Sequence, residues 1–169
     1  MGGRVSSLLR EDGDRVSEVL HVEGALRSPR IELLQRNQST CAQERRERLA
    51  GRDNVRYLVN DGRTLAAIPD ASIDFIWSFD TFVHVSPEDT AAYAGEFRRV
   101  LRRGGRGIVH HPAVGGLRGG FRSRMTSEAF AALLRASGLV PLEQFDAWGP
   151  QGAFDVKHFG DAITVFAKP

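Results

Sequence analysis

The apolar positions fall into two regimes. From residue 54 onward they come in short runs and helical stripes separated by turn residues, whereas before it they are thinner and less regular. Val55-Arg56-Tyr57-Leu58-Val59 reads as a short strand that closes on Asn60-Asp61-Gly62. Residues 63–69 then form a loop or a single turn, with Leu65 and Ile68 facing inward. Residues 73–79 are apolar on both sides except for Asp74 and Ser78, and such a run suits a central parallel strand covered on both faces. Ser86 is a good N-cap, with Pro87 at the first helical position and Glu88 and Asp89 in the first turn. The helix predicted from it runs from Ser86 to Arg103 and buries Tyr93, Phe97, Val100 and Leu101 along one stripe. Arg98, Arg99, Arg102 and Arg103 would complement the carbonyl end of its dipole, and Gly104 would stop it. Residues 107–110 form the next strand.

A glycine-rich loop carrying Arg118, Arg122 and Arg124 spans residues 113–124. Thr126 or Ser127 caps a helix to Ala136, with Phe130, Leu133 and Leu134 inward and Gly138 ending it. Residues 139–145 read as a strand whose Pro141 needs a place where a missing donor is tolerated. Residues 148–160 form a loop, and residues 162–167 a closing strand. Ahead of all this, residues 1–14 are a polar lead-in, residues 16–22 have strand character, and Glu23-Gly24-Ala25 turns the chain. Residues 26–36 read as a helix whose start Pro29 limits, and residues 41–50 as a charged helix closed by Gly51. No second strand is predicted between Gly24 and Val55.

The pattern therefore predicts an α/β chain, Rossmann-like and doubly wound, mostly parallel with an antiparallel C-terminal strand. Its first βαβ unit is incomplete. We expect one domain over residues 1–169, irregular over 1–54 and well formed over 55–169. Charge changes the picture little: 23 basic and 21 acidic residues leave a net charge of +2, too small to imply a nucleic-acid partner. The arginines over 98–106 and 118–124 are read as a solvated helix end and a loop, because aromatic interleaving is sparse. No apolar run reaches the roughly 18 residues that a membrane span needs. Met1-Gly2 with Ser6 matches part of a myristoylation pattern, taken here as coincidence. Cys41 is the one cysteine, so no internal disulfide forms and a cytoplasmic location fits.

In a doubly wound sheet the ligand site lies beyond the carboxyl ends of the parallel strands. That rule selects Asp61-Gly62, Ser78-Phe79-Asp80 and His110-His111. Asp61-Gly62 alone reads as a plain turn. However, residues 55–169 resemble the second half of a class I S-adenosylmethionine-dependent methyltransferase of the small-molecule type. The resemblance rests on Asn60-Asp61-Gly62, on residues 69–78, and on Glu96-Phe97-Arg98-Arg99-Val100-Leu101-Arg102-Arg103-Gly104-Gly105 with the strand after it. The helix over 126–136 and the two closing strands complete it.

The resemblance implies S-adenosylmethionine as cofactor, with Asp61 at the adenine, Gly62 beside it, and Ser78 and Phe79 lining the site. Gly24 stands where the family places its glycine-rich loop. Asp80, His84, His110 and His111 would face the substrate side, and Asp80, His84 or His110 could take a proton from the acceptor. Read singly, each histidine is a satisfied polar group. No metal set is implied. Two features depart from the family: Glu23-Gly24-Ala25 is all that stands for its GxGxG loop, and no strand ending in Asp or Glu precedes Cys41. Two functions follow, methyl transfer to a small-molecule acceptor, or a non-catalytic relative serving as a binding or partner module. Loss of the second strand would also leave an exposed edge that favours a homodimer.

Overall fold

The computed structural model describes residues 20–24, 30–35, 47, 51–53, 55–59, 61–115 and 122–169. Its strands are β1 (Leu20–Gly24), β2 (Arg30–Gln35), β3 (Val55–Val59), β4 (Ile73–Ser78), β5 (Leu101–Pro112), β6 (Val140–Phe145), β7 (Ala147–Trp148), β8 (Phe154–Asp155) and β9 (Asp161–Ala167). Two helices are described, α1 (Pro87–Val100) and α2 (Ser127–Ala136). One seven-stranded sheet has the order β3-β2-β1-β4-β5-β9-β6, and β7 and β8 pair as a separate small hairpin.

The pairings give the strand directions. β2 and β3 run parallel, as do β4 and β5, while β1 is antiparallel to both β2 and β4. β9 is antiparallel to β5 and β6. Strands β2 to β6 thus share one direction, and β1 and β9 oppose it. The antiparallel closing strand is as expected. The reversed β1 follows from chain length: residues 25–29 are too few for the crossover, typically about a dozen residues, that joins parallel neighbours, so β1 and β2 must form a hairpin.

Two expectations for the N-terminal third are corrected here. Residues 26–36, read as a helix, contain β2, which is a second strand between Gly24 and Val55. β3 lies beside β2, at the edge of the sheet. The helix predicted over residues 41–50 falls outside the described residues except for Glu47, which is helical.

α1 begins as the sequence indicates, with Ser86 accepting from the Asp89 amide at 3.1 Å. It ends three residues earlier than predicted. The carbonyls of Arg99 and Val100 accept from the amides of Ala71 and Ser72, each at 2.9 Å, and Leu101 is already paired with Ile73. These partners satisfy the last turn, so Arg102 and Arg103 belong to β5 and Gly104 is not a helix stop. α2 forms as predicted, capped by the Thr126 hydroxyl. Pro141 sits in β6, the outer strand of the sheet.

Both helices cover one face of the sheet. Phe82 meets Phe97 of α1 at 5.7 Å and Phe130 of α2 at 6.4 Å, ring centre to ring centre, and Phe97 stacks on Phe166 of β9 at 5.8 Å. Leu65, Ile68, Ile76, Val109, Leu134 and Leu139 fill the rest of this core. Gly107 of β5 admits the Phe166 ring: a Cβ there would stand 2.2 Å from Cζ. Because Phe166 is fully buried and held by Phe97, it has nowhere to move. We expect Gly107→Ala to cost about 3 kcal/mol or more by overpacking, and Phe166→Leu in the same chain to recover part of it. Urea unfolding of the two single variants and the double variant checks this.

Candidate functional site

Alternation along β4 and β5 sorts the strand-end residues by face. His111 turns to the helical face. It is fully buried, its ring is stacked on Phe130 at 4.2 Å, Nδ1–H donates to the Pro112 carbonyl at 2.8 Å, and Nε2 accepts from the Thr164 hydroxyl at 2.6 Å. It is a core histidine and faces no substrate. Burial pushes its pKa down to about 4, against the smaller upward pull of the Pro112 carbonyl.

His110 turns to the other face and ties three segments together. Its Nδ1 accepts from the Asp80 amide at 3.1 Å, so Nε2 carries the proton and lies 3.1 Å from the Asp161 carboxylate. The second Asp161 oxygen accepts from the Arg122 guanidinium. Asp161 is buried, which raises its pKa, but the hydrogen bonds from His110 and Arg122 outweigh this and hold it below the usual carboxylate range. The buried negative charge is therefore matched by Arg122, while His110 stays neutral with both nitrogens engaged. In this arrangement His110 has no lone pair for an incoming proton and acts as a support rather than a base.

Around His110 the rings form a chain. Phe79 stacks on it at 4.5 Å, Trp77 lies 6.1 Å from Phe79 in a near-parallel orientation, and Trp148 meets Phe79 edge-on at 6.3 Å. Asp80 adopts a left-handed backbone, φ 59°, which Asp tolerates better than most residues. His84 is exposed within the following turn. Ser78 Oγ is buried on the helical face, without a hydrogen-bond partner among the described residues.

Asp61 follows the end of β3, at the same edge of the sheet as Phe79 and His110. Its Oδ1 accepts from the amides of Arg63 (2.9 Å) and Thr64 (2.7 Å), and its Oδ2 from the Thr64 hydroxyl at 3.0 Å. The Arg63 and Thr64 amides hold the carboxyl below its ordinary value, so it is a charged acceptor. Oδ2 keeps an acceptor site for one outside donor. Gly62, at φ 81°, makes the turn.

Gly24 does not join this group. Its partner is Arg30, and Glu23 lies opposite Phe75 near the start of β4, so the β1–β2 link sits at the amino edge of the parallel strands. β2 ends in Gln35, so the acid expected after a second strand is missing. Sequence reading also missed Asp161, Arg122 and Trp148. An Asp opening an otherwise apolar strand was a usable signal; its partners, 51 and 39 residues away, were not.

The sequence model of the methyltransferase domain family matches residues 3–109, more than half of the chain. The chain belongs to this family. S-adenosylmethionine is the family's cofactor. No curated protein matches the chain. Among solved structures, the Haloferax volcanii protein complexed with the Trm112 methyltransferase activator is similar with a TM-score of 0.64 and 20% identity, over 83% of this chain and 72% of that one. The 1,6-didemethyltoxoflavin-N1-methyltransferase of Burkholderia thailandensis, with bound 1,6-didemethyltoxoflavin and S-adenosylhomocysteine, gives a TM-score of 0.59 and 17% identity, over 82% of this chain and 61% of that one. The geranyl diphosphate C-methyltransferase of Streptomyces coelicolor, with Mg2+, geranyl diphosphate and S-adenosylhomocysteine, gives 0.62 and 15%, over 83% and 63%. These likenesses show the same Rossmann-like fold. Among the described residues no helix is long and apolar enough to cross a membrane, and no cluster of metal-ligating side chains occurs.

The described site fits the nucleoside end of S-adenosylmethionine. Asp61 has acceptor capacity for an amino group, and Phe79 offers a ring at the same edge of the sheet, on β4, with β2 and β1 lying between the two tips.

The buried histidine generates a pH prediction. His111 is neutral when folded down to about 4, whereas the unfolded residue titrates near 6.5. Its contribution is complete above about pH 6.5 and is lost as the pH falls toward 4, because the unfolded chain then binds the extra proton. Between pH 7.5 and 4.5 this removes about 2 kcal/mol of stability, and His111→Gln should lose correspondingly less over the same interval. Denaturant unfolding of both proteins at the two pH values measures the difference.

Proposed function

We propose that this chain is an S-adenosylmethionine-dependent methyltransferase acting on a small molecule. The observation carrying the proposal is the shared edge: the Asp61–Gly62 turn, Phe79 and the His110 support emerge from one side of the sheet. When bound, S-adenosylmethionine supplies a methyl group already activated on a sulfonium sulfur. The protein then has mainly to position the two reactants. Asp61 accepts a hydrogen bond from the adenine amino group, beside Gly62, and Phe79 lines the nucleoside side, whereas Ser78 points into the helical core and takes no part. Trp148 and Phe79 keep water from the rings they cover. An acceptor that must lose a proton would use Asp80 or His84, since both nitrogens of His110 are engaged.

The second reading, a non-catalytic member that binds a ligand or a partner, is favoured by two observations: the β1–β2 link at the amino edge, and Gln35 in place of an acid. Calorimetry with S-adenosylhomocysteine separates the two. The methyltransferase reading expects binding, weakened about tenfold or more by Asp61→Ala, as loss of a hydrogen bond to a charged acceptor requires. It also expects S-inosylhomocysteine, which carries an oxygen where adenine has its amino group, to bind at least as poorly. Absence of heat and of thermal shift with millimolar S-adenosylhomocysteine would refute the enzyme reading.

A further inference from the structure

The loop that follows Asp61 is held from outside, by α1. Arg63 Nε donates to Asp89 Oδ1 at 2.6 Å, near the start of the helix. Two turns later, Glu96 Oε2 accepts the Leu65 amide at 2.6 Å. Arg99 completes the grip with all five of its N–H donors. Nε donates to Glu96 Oε1 (2.9 Å), Nη2 to Glu96 Oε2 (2.8 Å) and the Leu65 carbonyl (2.9 Å), and Nη1 to the Ile68 carbonyl (2.8 Å) and Asp70 Oδ1 (2.6 Å). The amide and the carbonyl of Leu65 are thus both engaged by one pair of side chains on α1. Leu65 and Ile68 are themselves buried against the core, so their backbone cannot shift without disturbing their packing.

The position of that grip matters. Leu65 directly follows Thr64, whose amide and hydroxyl hold the Asp61 carboxylate. Fixing Leu65 therefore fixes Thr64, and Thr64 aims the carboxylate. We propose that Glu96 and Arg99 are a positioning pair for cofactor recognition, setting the place at which Asp61 and Gly62 meet the adenine. The inference rests on the methyltransferase reading and adds residues that touch neither cofactor nor acceptor. A planar fork with five donors is required, because a lysine ammonium has three donors and no fixed plane.

The test compares wild type, Arg99→Gln, Arg99→Lys and Leu134→Val. The last alters the core under α2, far in sequence from the loop, and reports what a general loss of stability does. In calorimetry with S-adenosylhomocysteine, Arg99→Gln should bind at least tenfold more weakly and Arg99→Lys should recover little of that loss. Leu134→Val should bind within about twofold of wild type even where its unfolding midpoint falls as far. Amide exchange in the ligand-free proteins should quicken at residues 63–66 in Arg99→Gln and stay unchanged in α2. Equal affinity of Arg99→Gln and wild type overturns the proposal, as does an equal loss of affinity in Leu134→Val. A wild type that does not bind S-adenosylhomocysteine refutes the enzyme reading instead; unchanged exchange at residues 63–66 in Arg99→Gln then overturns the positioning pair on its own terms.

Discussion

The carboxyl edge of this sheet is organised by one neutral imidazole. His110 has two ring nitrogens with opposite roles, and each is engaged by a different segment: one accepts from the backbone after β4, the other donates to the first residue of β9. That division works only in one tautomer. It anchors the left-handed Asp80, keeps Phe79 stacked on the ring, and gives the buried Asp161 a donor besides Arg122. A charged His110 could not accept the Asp80 amide, so the support and the charge state are the same fact. Burial of a carboxylate is costly unless it is paired and hydrogen-bonded, and Asp161 is both.

The second constraint is the shortness of the β1–β2 link. It converts what would be a crossover into a hairpin, and it sends Gly24 to the edge opposite Asp61. Apart from the β1–β4 pairing, the half of the sheet from β4 to β6 makes its pairings and its core on α1 and α2 within residues 61–167. Asp61, Phe79 and His110 therefore share one edge of the sheet while β1, between β2 and β4, runs backwards.

Much of this was legible in the residues. Ser86-Pro87 with its acidic first turn marks a helix start through local capping chemistry, and the apolar run of β4 marks a buried strand. Asp61, Phe79 and His110 were placed together by a rule about strand ends. What escaped reading depends on distant partners. The end of α1 is set by the amides of Ala71 and Ser72, not by Gly104. The role of Arg99 cannot be guessed among four neighbouring arginines, since it follows from carbonyls 31 and 34 residues away. β2 was missed because Arg30, Glu32 and Gln35 gave it helix-like composition. His111 was separable from His110 in principle: adjacent residues on a strand face opposite ways, so both could not line one site.

Pro141 and the register shift beside it have a consequence for how copies of this chain meet. β6 ends the sheet on one side, where an unpaired row of backbone groups invites another molecule to continue the ladder. A residue without an N–H, followed by a bulge, makes that row a poor template. End-to-end growth of the sheet into a filament needs two compatible borders, and this one is interrupted by a proline and a register shift. The safeguard needs no covering element and persists whatever happens at the ligand-facing tips.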